Sequence, residues 1–253
     1  MAGGNNDVFS VLGNEIRRYV IFYLFEEDMT ASHLSKKLNM TLQAMQKHLP
    51  KLIETGRIEK NSDGKISLTE IGHTLANQIP SIEFLSENES YLKTHSLSSL
   101  PTQFLQRIGD LEKFEMVSKF RNNEKYADFL TEAEEYIKII STQNHFNLDA
   151  ATISKMSKKK IRISQISDEI TPIPKIQKKQ KKLQKELLKQ DDVIFGKKAS
   201  KNIPLMTCIS ENTACLAFLH RNGSVDFDNM MWSKDQKFIS WCSDFFDYAW
   251  RLT

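Results

Sequence analysis

The sequence predicts an α+β protein, an N-terminal winged helix-turn-helix followed by an α/β domain with a mixed sheet. Three observations lead there. Between Thr30 and Gly72 two short amphipathic helical patterns are followed by two strand-like runs around a Ser62-Asp63-Gly64 turn. Between about 100 and 250, helical periodicity alternates with short β-branched runs, the pattern of a sheet that is at least partly parallel. And 253 residues is more than one ordinary domain needs, so two units can each bury a core. The expected boundaries are 1–80 for the winged helix, 81–94 for a connecting helix and 95–253 for the α/β domain.

In the first domain, residues 7–27 read as one opening helix with Val8, Leu12, Ile16, Tyr19 and Tyr23 on a stripe. Its second half, including Val20, Ile21, Phe22, Leu24 and Phe25, is apolar almost all round, which suits burial on several sides or a face for a second subunit. Thr30 can N-cap a helix carrying Ala31, Leu34 and Leu38, and Asn39 tolerates the left-handed conformation that ends it. Thr41 can cap the next helix, whose inner face is Leu42, Met45, Leu49, Leu52 and Ile53. Pro50 lies inside that helix and predicts a kink. Gly56 stops it, Ile58, Ile66 and Leu68 form the wing, and Thr69 opens a further helix that Pro80 interrupts.

The outer face of the second helix fits the reading of double-stranded DNA. Amide side chains near a helix N-terminus reach base edges, and cations neutralise phosphates. Gln43, Gln46 and Lys47 are the expected base readers. Thr41, His48, Lys51, Lys60, Ser62 and Lys65 lie where helix and wing would meet the backbone; Arg17 and Arg18 either approach it or are solvated.

Charge qualifies this. The net charge is +3, but residues 1–80 carry nine basic and nine acidic side chains. Such a module must concentrate its cations on one face or gain affinity as a dimer, and a homodimer is expected. Lys175 to Lys189 holds seven lysines and one glutamate, with Ile176, Leu183 and Leu187 as a thin apolar stripe. It reads as a solvated helix, or as an auxiliary contact to nucleic acid.

The stretch LGNEIRRYVIFYLF, the helix-turn-helix and GRIEKNSDGKISLTEIG together resemble the DNA-binding half of archaeal regulators of the arsenic-repressor-like winged-helix class. Where that class has Ser-Arg-His-Leu, this chain has Gln46-Lys47-His48-Leu49. HSLSSLPTQFLQRIGDL (95–111), IPLMTCISENTACLAFLHRNGSVDF (203–227) and FISWCSDFFDYAW (238–250) are similar to the effector domain of the archaeal methanogenesis-and-filament regulator family. The resemblance implies a transcription regulator whose second domain dimerises, binds an unidentified small-molecule effector, or both.

In the second domain, Pro101 starts a short helix that Gly109 ends; Phe114 to Phe120 reads as a strand; and Asn123 caps a helix running to Ile140. Residues 149–160 read as a basic helix end, and Ile161, Ile163 and Ile166 as a buried strand. Apolar strands at 203–210 and 214–220 and a turn at Asn222-Gly223 follow, and Phe238, Trp241, Phe245 and Tyr248 recur at the spacing of a core-facing helix.

No catalytic constellation stands out: there is no H-x-x-x-H, no G-x-S-x-G and no phosphate-cradling glycine loop. The chain is expected to be no enzyme and to need no cofactor or metal. Asp226 and Asp228 share a loop that could hold a metal but read rather as caps and turn formers, and His95 reads as a partner of backbone rather than a metal ligand. Cys208, Cys215 and Cys242 are odd in number, without a CxxC pair; they are either inert buried thiols or, for the first two, a redox pair across a hairpin. No apolar run is long enough to cross a membrane and the N-terminus lacks a signal-peptide pattern, so a cytoplasmic protein is expected. The alternative function is a non-enzymatic protein–protein adaptor, with winged helix and lysine-rich helix both engaging acidic partners.

Overall fold

A computed structural model describes residues 8–141, 159, 161–168, 195–200 and 203–253. The lysine-rich segment 175–189 and nearly all of the helix end expected at 149–160 lie outside the described residues. The chain divides into two compact units, Met1–Glu83 and Phe84–Thr253.

The first unit begins with α1 (Val8–Leu12) and α2 (Glu15–Glu26). The single opening helix expected from the sequence is therefore two helices. Gly13 and Asn14 separate them: the Gly13 amide bonds the Phe9 carbonyl, and the Asn14 side chain caps α2 through the Arg17 amide. The stripe is corrected as well. Val11, Val20, Ile21 and Leu24 are buried, while Tyr19, Phe22 and Phe25 stay exposed.

Next come α3 (Ala31–Lys37) and α4 (Leu42–Glu54), capped by the Thr30 and Thr41 hydroxyls that accept the His33 and Ala44 amides. Asn39 sits at φ 50° between them, in the left-handed region. On α4 the buried residues are Met45, Leu49 and Leu52, each contributing about 1.5–3 kcal/mol of burial. Leu42 and Ile53, expected on that inner face, are exposed: Leu42 opens the first turn, and Ile53 lies about 100° round the helix from Leu52. The helix runs through Pro50 to Glu54. Its end is closed by a Schellman motif, in which the Gly56 and Arg57 amides bond the Ile53 and Leu52 carbonyls with Gly56 at φ 68°.

The wing is β1 (Ile58–Lys60) against β2 (Ile66–Leu68), antiparallel with Lys60 opposite Ile66. At its tip the Asn61 side chain accepts the Asp63 and Lys65 amides. Met29 adds a bridge to Ile66, tying the start of the helix-turn-helix to the wing. After α5 (Glu70–Ala76), α6 (Ile79–Glu87) starts one residue ahead of Pro80, where a missing N–H costs little.

The second unit continues through α7 (Glu89–Leu92) and α8 (Thr102–Gln106). It is built on a mixed seven-stranded sheet in the order β3-β9-β8-β7-β4-β5-β6. The strands are β3 (Glu115–Val117), β4 (Tyr136–Ser141), β5 (Arg162–Asp168), β6 (Phe195–Ser200), β7 (Leu205–Ile209), β8 (Ala214–Phe218) and β9 (Met230–Ser233). The pairs β4–β5 and β5–β6 are parallel and the rest antiparallel.

Two expectations are corrected here. The strand at 114–120 is only three residues long, because α9 (Lys119–Glu132) starts directly after it. And the expected helix from Asn123 to Ile140 ends at Glu132: the β-branched run Ile137, Ile139 and Ile140 belongs to β4, inside the sheet between β7 and β5. One face of the sheet packs Ile140, Leu205, Leu216 and Phe218 with Phe238, Trp241 and Phe245 of α10 (Gln236–Leu252). The other face packs Ile139, Cys208, Cys215 and Trp232 with Phe129 and Leu130 of α9.

Candidate nucleic-acid interface

The exposed face of α4 follows from its buried one. With Met45, Leu49 and Leu52 turned inward, Gln43, Gln46 and Lys47 fall on the outer side, one turn apart and all exposed. All three lie in the first half of α4, before Pro50. Thr41 is exposed too, but its hydroxyl is engaged in capping.

Lys47, Lys60 and Lys65 are exposed and form no ion pair among the described residues. Lys51 is half-buried, with its ammonium 3.6 Å from Glu54. Ser62 is exposed at the wing tip and bonds the Asp63 side chain. His48 is half-buried on α4; burial first, then the charges of Arg17 and Lys47, hold its imidazole below the usual pKa. Uncompensated cations therefore stand on α4, next to Gln46, and on the wing.

Arg17 and Arg18 are engaged elsewhere. Arg17 donates to the Val11 and Ser10 carbonyls, and Arg18 to the Leu12 carbonyl and to Glu83 at 3.4 Å. They close the C-terminal end of α1, bonding carbonyls of its last turn. Glycine is required at position 72, since a Cβ there would fall on the Arg57 carbonyl where α5 crosses the wing.

In the second unit a cleft of about 650 Å³ lies between β3, α9 and the end of β9, floored by Phe129 and Trp232. Its lysines are already matched, Lys125 with Glu115 at 2.5 Å and Lys234 with Glu132 at 3.3 Å. Cys208 and Cys215 face each other across β7 and β8. All three cysteines are buried, and the neighbouring Cys215 thiol together with burial pushes the Cys208 thiol up, which keeps it un-ionised.

Sequence reasoning took Asp226 and His95 separately and missed that they meet in one cluster. His95, His220 and Asp226 converge in this unit, although His95 and Asp226 lie 131 residues apart. Only the spacing of His220 and Asp226 around the Asn222-Gly223 turn signalled it.

No family model matches the chain, and none of the curated proteins matches it. One solved structure that aligns is TrmBL2, described as an archaeal chromatin protein with a novel mode of DNA binding. It is 13% identical over 98% of each chain, with a TM-score of 0.42. IdeR of T. acidophilum is 21% identical over 38% of this chain and 45% of its own, TM-score 0.25. An O-methyltransferase family protein from Burkholderia thailandensis is 12% identical over 72% of this chain and 59% of its own, TM-score 0.27. The chain thus spans under half of the IdeR chain and about three-fifths of the methyltransferase chain.

At these scores none of them assigns an activity or a ligand. They do correct one expectation. Several aligned structures are described as methyltransferases, which overturns the exclusion of catalysis drawn from the missing motifs.

Proposed function

We propose that this chain is a sequence-specific DNA-binding transcription regulator whose first unit docks α4 in the major groove. The observation that carries the reading is the outer face of α4. Gln43, Gln46 and Lys47 stand exposed on a helix held by its buried side, and unpaired Lys60 and Lys65 on the wing reach a backbone beside it. Gln43, Gln46 and Lys47 read base edges; His48, Lys51, Lys60, Ser62 and Lys65 position the phosphates, with Thr41 holding the helix start. The exposed apolar face of α2, with Tyr19, Phe22 and Phe25, supports a homodimer, and so an operator with two half-sites. The second unit serves as the effector-sensing or dimerisation part. A place among archaeal regulators of the arsenic-repressor-like class, with an effector domain of the methanogenesis-and-filament regulator kind, is the finer form of this proposal.

The test is fluorescence anisotropy of the full chain with duplex fragments of its own upstream region and a scrambled duplex, at two salt concentrations. The reading expects tighter binding to the upstream fragment and a steep loss of affinity with salt. Absence of duplex binding at low salt would overturn it.

A further inference from the structure

We propose that His95, His220 and Asp226 form a binding site for one divalent transition-metal ion, of the zinc(II) or cobalt(II) kind, in the second unit. The site stands apart from the DNA-binding reading, since all three residues belong to Phe84–Thr253.

The fold brings the groups together by backbone pairing. His95 follows α7 and bridges His220 just beyond β8. The turn at Asn222-Gly223, with Gly223 at φ 82°, folds the chain back so that Val225 pairs with Leu219 and Asp226 arrives beside both imidazoles. His95 Nε2 lies 3.2 Å from Asp226 Oδ2, and His220 Nε2 lies 3.8 Å from the same oxygen. One donor atom from each residue falls within 4.8 Å of the others. Neighbouring donors of a tetrahedral ion with bonds of about 2.0–2.1 Å stand about 3.3 Å apart, so His95 and Asp226 already have that spacing and His220 must move to complete the set.

The surroundings orient the donors as a metal site requires. His95 Nδ1 lies 2.6 Å from the Tyr91 carbonyl, which can only accept, so Nδ1 carries the hydrogen and Nε2 is turned to Asp226. Asp226 Oδ1 accepts the Asp228 and Asn229 amides, and the Asn229 side chain donates to Oδ2. The ring of Tyr91 stacks on His95 at 3.7 Å. The side chains of His95 and Asp226 are almost wholly buried, and Asp226 pairs with no lysine or arginine among the described residues. With Nδ1 held at the Tyr91 carbonyl, His95 turns Nε2 to a buried carboxylate oxygen, an arrangement that calls for a cation between them. A proton is the other cation that fits, and the experiment separates the two.

His220 is the access point. Its side chain is 35% exposed, and it stacks on His95 at 4.4 Å. Placing both Nε2 atoms on one ion requires His220 to turn out of that stack, and its exposure leaves room for the turn. Two imidazoles and one carboxylate favour zinc(II) or cobalt(II) over calcium or magnesium, with a fourth position left for water or a small ligand.

The test titrates the chelator-treated full chain with cobalt(II), followed by visible ligand-field absorption and by calorimetry. The proposal expects one cobalt(II) per chain with a tetrahedral spectrum, displaced by zinc(II). His220→Ala and His220→Gln should weaken binding by more than about 100-fold, since loss of outer partners alone costs about 10–100-fold. The metal-free melting temperature should not change in these variants, and His33→Ala should bind like the parent. A chain without ligand-field bands holds only a proton there, and the proposal fails. It fails equally if the His220 variants bind as the parent does, or if thiolate charge-transfer bands place the ion on cysteine.

Discussion

The two units carry their polar side chains in opposite ways. In the first, the candidate base readers Gln43, Gln46 and Lys47 and the wing lysines Lys60 and Lys65 stand exposed on one helix and one hairpin, over a mainly apolar interior. In the second, the conspicuous polar group is largely buried, with His95 and Asp226 inside and His220 at its edge, assembled from segments far apart in the chain. Exposed, uncompensated cations suit a polyanion that arrives from solvent. A buried, oriented His-His-Asp cluster suits a small ligand that enters the protein. The contrast separates a surface for a macromolecule from a site for an ion.

The largest effects should come from the cores, and each should stay in its own unit. Trp241, fully buried on α10, donates to the Phe104 carbonyl and stacks on Phe245. Trp241→Ala should destabilise the second unit by about 3–5 kcal/mol. Leu52→Ala on α4 should cost the first unit about 2–5 kcal/mol. Denaturant melts followed by hydrogen exchange would assign each loss; equal loss of protection in both units from either change would break the contrast.

Smaller effects bear on the proposed interface. Gln46→Ala should relax discrimination at one base pair by about 1–3 kcal/mol, whereas Lys60→Ala should weaken all sequences alike and lower the salt slope by about one. Competition binding over single-base operator variants distinguishes them. Thr41→Ala removes the cap of α4 and should cost about 0.5–2 kcal/mol of stability, measured by urea denaturation.

The smallest is a pH effect at His48. In the free protein burial, with Arg17 and Lys47 beside it, holds the imidazole below its usual pKa, so it is neutral at pH 7. A bound phosphate would raise that pKa, so the complex takes up a proton and affinity should rise as pH falls below 7. His48→Gln should remove this slope, as read by anisotropy across the pH range.

The contrast also explains what the sequence revealed. Thr30, Asn39, Thr41 and Gly56 act through bonds to neighbours within five residues, so caps and turns were legible from short windows. The opening helix was misjudged where Gly13-Asn14 interrupts an otherwise continuous apolar pattern. Ile53 was misplaced because its neighbour Leu52 took the inward position. In the second unit, the closing helix was legible from its Phe238, Trp241 and Phe245 spacing. Strand β4 was not: Ala133, Ile137 and Ile140 also fit a helical stripe, and only pairing with β5 and β7 decides between them. His95, His220 and Asp226 meet through bridges that no local window contains.

The most direct test of the central claim compares the parent chain with a Gln43→Ala, Gln46→Ala, Lys47→Ala triple variant on one upstream duplex and one scrambled duplex. All three residues are exposed, so the variant should melt like the parent. The parent should prefer the upstream duplex, and the variant should bind both alike, weakly and still in a salt-dependent way. A variant that keeps the parent's preference would contradict α4 as the reading element.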